Sequence, residues 1–133
     1  MVFAPYTARS DSIALSGSPA SFTINSAIAG QQPSAASDST TTFGVTTTTL
    51  TNTIVGNLAS NMPAGVTLRV NLQAPAGATS AGSVTMTSVA TNLVTSIPIS
   101  TITSGLTVTY SLSSTVNAVQ TTNATNTLTL TLQ

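Results

Sequence analysis

Two short acidic motifs are the first places to look for chemistry: Asp11-Ser12 and Asp38-Ser39-Thr40. Two carboxylates sharing a proton can activate a water for acid hydrolysis. That geometry needs a glycine after the Asp-Ser or Asp-Thr step, and neither copy has one. Asp11 is therefore expected at the start of a strand, pairing with Arg9, and Asp38 in a loop or turn. A serine or threonine nucleophile would need an activating base, and the chain offers none beyond these two carboxylates. The third motif, Asn123-Ala124-Thr125, is an N-glycosylation sequon in an expected exposed loop, so Asn123 is a candidate attachment site.

The absences narrow the chemistry further. The 133 residues include no His, Cys, Lys, Glu or Trp, and the charged side chains are Arg9, Arg69, Asp11 and Asp38. Without His or Cys there is no thiol catalysis, no disulfide, no thiolate metal site and no ordinary general base near neutral pH. Without Lys there is no Schiff base, no phosphate-loop lysine and no intramolecular isopeptide bond. Two arginines cannot neutralise a track of phosphates, so no nucleic acid is expected as partner. The sequence thus predicts a protein that is not an enzyme and needs no cofactor or metal.

What replaces charge is hydroxyl: 28 threonines and 19 serines. A charge-poor surface of Thr, Ser, Asn, Gln and Gly is typical of extracellular structural proteins. A formal net charge of zero also leaves little repulsion against self-association. The longest apolar runs are a few residues, so no membrane span is expected. Met1 to Tyr6 is too short for the apolar part of a secretory signal and has no basic residues before it.

The elements that must position these residues are strands. Val66, Leu68, Val70 and Leu72 alternate with polar residues. So do Leu106, Val108, Tyr110 and Leu112, and again Leu128, Leu130 and Leu132. Period-two alternation gives each segment one apolar and one hydroxyl face. Further strands are expected at 12–16, at 21–25 (Phe22, Ile24), at 42–48, and at 50–55 as a continuation of 42–48 through a bulge. Others are headed by Val84 and Met86 and span 93–99, with Pro98 at an edge or strand end. Gly17-Ser18-Pro19, Pro63-Ala64-Gly65, Pro75-Ala76-Gly77 and Ser104-Gly105 read as turns, and 29–39, 74–82 and 117–126 as loops.

The expected fold is all-β: a single antiparallel β-sandwich of seven to nine strands over residues 12–133, preceded by an N-terminal extension, 1–11. Its core is expected from Phe22, Ile24, Val66, Leu68, Val70, Leu72, Val84, Met86, Leu106, Val108, Tyr110, Leu112, Leu128 and Leu130. Glycan binding would ask for an aromatic platform, and only Phe3, Phe22, Phe43, Tyr6 and Tyr110 are available.

Residues 12–25, Ser12-Ile13-Ala14-Leu15-Ser16-Gly17-Ser18-Pro19-Ala20-Ser21-Phe22-Thr23-Ile24-Asn25, resemble the start of bacterial fimbrial subunits. Those pilins open with a short β-rich run, a glycine, a step of small residues and then Cys-x-Ile. Here Phe22 stands at the cysteine and Ile24 follows. Residues 126–133 are similar to their final strand, with Leu132 in place of a penultimate aromatic. The resemblance implies an immunoglobulin-like, pilin-like sandwich whose missing strand comes from the neighbouring subunit.

The functional expectation is a non-catalytic extracellular, cell-surface protein: a subunit of a pilus-like filament, a homopolymer joined by β-strand exchange. The alternatives are an adhesin or carbohydrate-binding module taking host or cell-surface glycans, and a viral surface or capsid protein. The candidate donor strand is the N-terminal segment, with Val2, Ala4, Tyr6, Ile13 and Leu15 as anchors. Alternate apolar side chains would enter a groove while the backbone pairs with strands on either side. The competing expectation makes Ile13 and Leu15 part of the domain's own first strand.

Overall fold

Alternating threonine and aliphatic residues fold here into two antiparallel sheets. The computed structural model describes residues 11–19, 21–25, 28–49, 52–119 and 124–133. Nine strands lie within them: β1 (Ser12–Ser16), β2 (Ala36–Thr46), β3 (Asn52–Leu58), β4 (Val66–Leu72), β5 (Thr79–Ser80), β6 (Val84–Thr85), β7 (Thr91–Ile97), β8 (Ile102–Ser114) and β9 (Leu128–Leu132). No helix occurs among the described residues. One sheet has the order β1-β2-β8-β4-β6 and the other β5-β7-β3-β9. From β3 onward each strand lies in the sheet opposite its predecessor, so every connection after β2 crosses the sandwich.

The core sits between the inner faces. Phe43 and Val45 of β2, Ile54 and Leu58 of β3, Val70 and Leu72 of β4, Leu93, Val94 and Ile97 of β7, and Leu106, Val108 and Tyr110 of β8 are buried there with Met86. Ile13, Phe22, Leu68, Val84, Leu128, Leu130 and Leu132 pack against this cluster while partly exposed. Phe22 reaches it by tilting against Tyr110, with ring centroids 6.4 Å apart. Burial of the Tyr110 ring pushes its phenol above the ordinary value of 10.0, and the charge of Asp38 adds to the rise.

Four sequence expectations are corrected. Residues 21–25 carry Phe22 to the core without joining a ladder. β2 begins inside the expected loop, at Ala36, because a bulge between Asp38 and Thr41 lets the strand absorb its extra residue. Asp38 is part of that bulge and accepts from the Thr40 amide (2.9 Å) and hydroxyl (2.8 Å). Ser104-Gly105 is likewise a bulge rather than a turn: β8 runs straight through it, with Gly105 at φ 71°. Finally, β3 does not continue β2 but lies in the opposite sheet.

Candidate assembly edge

A sandwich has two flanks, and in this one they are built differently. On one flank the outermost strands are β5 and β6, two residues each. Very short edge strands offer a neighbour little to pair with. Side chains bind this flank together as well. Ser80 Oγ donates to the Leu72 carbonyl (2.6 Å) and accepts from the Gly82 amide (3.1 Å), and Arg69 donates to the Ser83 carbonyl (3.2 Å).

The other flank is formed by β1 and β9, the outermost strands of the two sheets. Each has five residues, SIALS and LTLTL, without a charge or a proline. Natural sheets protect exposed edges with lysines, prolines, bulges or covering loops. β1 and β9 come close to each other but belong to separate sheets, so no ladder closes this seam. Leu15 shows how open it is. It lies opposite Phe43 in the β1–β2 ladder and so faces the sandwich interior, yet it is 47% exposed while Phe43 is 1% exposed.

β1 is held by one ladder, Ser12↔Thr46 through Ser16↔Thr42, and by Asp11. The Asp11 carboxylate accepts hydrogen bonds from the Thr48 amide and hydroxyl and from the Thr49 hydroxyl. These hold its pKa below the ordinary 3.8, with the Thr49 hydroxyl foremost. Arg9, its expected partner, lies outside the described residues. Asp11 thereby fastens the start of β1 to the β2–β3 crossover.

That crossover is itself pinned to the β7–β8 turn by buried Thr47. Its hydroxyl donates to the Pro98 carbonyl (2.6 Å) and accepts from the Thr101 amide (3.0 Å). The Thr47 amide donates to Thr101 O and its carbonyl accepts from Ser100 N. Buried Asn52 completes the corner by donating to Thr49 O (2.9 Å).

Of the expected donor residues, Ile13 and Leu15 lie in β1, paired to β2 of their own chain. Val2, Ala4 and Tyr6 lie outside the described residues, as does Asn123; Ala124 and Thr125 beside it are exposed. The role of β9 as the second open edge is legible only in hindsight, from the lack of charge between Leu128 and Leu132.

No aromatic platform occurs among the described residues, since Phe43 and Tyr110 are buried and Phe22 leans on Tyr110. A hollow of about 440 Å³ on the first sheet is lined by Asn71, Gln73, Ser80, Thr107 and Thr109, with no aromatic or charged side chain. No cluster of metal-ligating side chains occurs among the described residues, and no helix there is long and apolar enough to cross a membrane. Comparison with known proteins gives no match to a family model, a curated protein or a solved structure.

Proposed function

We propose that this protein is a non-catalytic structural subunit outside the cell, polymerising by transfer of β1 onto β2 of a neighbouring copy. The observation that carries this reading is the position of β1. It is an outer strand without charge on an unsealed flank, joined covalently to β2 through the long connection 17–35. Fully extended, that connection reaches roughly 60 Å, enough to deliver the strand to an adjacent domain.

Exchange costs little because the contacts are the same in both arrangements. The Ser12–Ser16 ladder, the Ile13 packing and the Asp11 bonds re-form in trans. Leaving the parent domain exposes a partly buried Ile13, a half-exposed Leu15 and, where the connection straightens, a partly buried Phe22, together about 3–5 kcal/mol of apolar burial. The fimbrial resemblance of residues 12–25 points the same way, and so does the hydroxyl surface in place of charge.

The test uses the lack of native cysteine. Ser12 and Thr46 face each other in the ladder, so the S12C/T46C chain can form a disulfide there. Oxidised after assembly, exchanged strands link neighbours covalently and give a ladder of multimers on a non-reducing gel. Oxidised before assembly, the disulfide holds β1 at home and blocks polymerisation. Polymers that yield only covalent monomers refute strand exchange.

A further inference from the structure

We infer that β9 is an edge for a second copy of this chain: two molecules pair their β9 strands antiparallel about Leu130 and join two four-stranded sheets into one. The contact uses neither β1 nor β2, so it stands whether or not those strands exchange.

The hydrogen-bond phase of β9 shows which groups are on offer. Thr53 and Gln133 exchange both of their backbone bonds (2.7 and 2.8 Å), and Ala59 N donates to Thr127 O (2.9 Å). Between those points the register is unbroken, from Ile54↔Leu132 to Leu58↔Leu128. Bonded pairs alternate with unbonded ones along an antiparallel ladder. Thr127, Thr129, Thr131 and Gln133 therefore direct their backbone groups to β3, while Leu128, Leu130 and Leu132 turn theirs outward. Among the described residues these outward groups have no partner.

What fits this row is the same row turned round. The strand reads Leu-Thr-Leu-Thr-Leu in either direction. A two-fold axis at Leu130 sets that residue against its twin and Leu128 against Leu132, so every outward N–H meets an outward C=O. Sliding by one residue sets leucine against threonine, and sliding by two gives up a bonded pair within β9. At the closely spaced positions in between, Thr129 faces Thr131 of the other copy. Both are exposed, and their hydroxyls make no hydrogen bond among the described residues. Facing threonines of this kind stabilise a sheet. On the other face the leucines, still partly exposed beside the open seam, meet the leucines of the twin. No charge, proline or register shift in β9 keeps a second copy away. The far flank offers no rival, because β5 and β6 have two residues each against five. A contact between like edges is isologous and closes on itself. In a polymer it would hold two filaments side by side rather than lengthen one.

The test is a pair of single-cysteine chains, T129C and T131C, both altered at exposed positions. In the inferred register residue 129 of one copy faces residue 131 of the other, with Cβ atoms ~4.5–5.5 Å apart. Like positions lie roughly 8 Å apart, beyond the reach of a disulfide. Mixed in equal amounts and oxidised, the two chains are expected to give about tenfold more covalent dimer on a non-reducing gel than either chain alone. A mixture without the dimer band, or one with no more of it than T129C or T131C alone, overturns the inference. The S12C/T46C ladder reports on strand exchange in a separate chain, so either proposal can fail without the other.

Discussion

Leu15 and Phe43 stand directly opposite each other across β1 and β2, on the same inward face, and only Phe43 is covered. Cost should follow cover. Phe43→Ala is expected to lose about 3–5 kcal/mol, as for a fully enclosed aromatic. Leu15→Ala is expected to lose about 1 kcal/mol, in keeping with partial burial. Urea denaturation of the monomer measures both, and equal losses would mean that the seam is closed.

Asp11 makes the attachment of β1 dependent on acid. Its folded pKa is lowered, so its contribution is complete above the unfolded value, near 3.8, and disappears as pH falls through the lower folded value. Hydrogen exchange at the Ile13 and Leu15 amides, corrected for intrinsic rates, should keep constant protection from pH 7 to 5 and lose it well below pH 4. Asp11→Asn should show weakened protection at neutral pH and no such acid step. An unchanged profile in the variant would remove Asp11 from the attachment.

Thr41 and Thr47 are both 1% exposed and differ in their partners. The Thr47 hydroxyl is bonded at both its donor and acceptor sides, whereas Thr41 Oγ1 has no hydrogen bond of ordinary geometry, although it offsets part of the rise in the Tyr110 pKa. The same substitution should therefore act in opposite directions. Thr47→Val strands the Pro98 carbonyl and the Thr101 amide and is expected to cost about 1–3 kcal/mol. Thr41→Val removes a buried hydroxyl whose only contact, with Tyr110, is not a well-formed hydrogen bond, and is expected to be neutral or stabilising. Chemical denaturation of the two variants decides the matter.

Assembly should be nearly indifferent to salt. With four charged side chains in 133 residues, screening has little to act on. Polymer yield by light scattering is expected to stay level between about 0.05 and 0.5 M NaCl at neutral pH, and dissolution at the higher concentration would point to charge-steered contacts.

Much of this fold could be read from alternation. β1 and β9 lie where the sequence puts them, β4 has the expected bounds, and Pro98 sits just past the end of β7. Val70, Leu72, Met86, Leu106, Val108 and Tyr110 are core residues on both counts. What escaped was the half of the core drawn from β2, β3 and β7. Bulges explain it. In the β3–β7 pair the register shifts twice, between Asn52 and Ile54 and again between Ile54 and Val55. Neighbours such as Ile54 and Val55, or Leu93 and Val94, are then all buried, and a strict period of two discards them. Ser96, at φ 58° in β7, marks the same irregularity without any glycine to announce it.

The candidate edge was legible as a sequence segment but not as a place. Apolar anchors among small residues single out Ile13 and Leu15, and nothing in their spacing says that β9 lies beside β1 or that β5 and β6 guard the far flank. Those relations come from which sheet each crossover enters.

The alternation of the strands between sheets also bears on how the chain reaches this structure. From β3 to β9 no strand pairs with the one before it, so none of them can start as a hairpin. Each ladder must wait for a distant partner, at the entropic cost of closing a long loop before any bond rewards it. Such topologies acquire their native state in milliseconds to seconds rather than microseconds. The exception is β1, whose partner is its immediate successor β2. During that slow search the first strand has time to meet a β2 that is not its own, so under the proposed exchange the kinetics of closure, as much as the final energies, would decide which copy it joins.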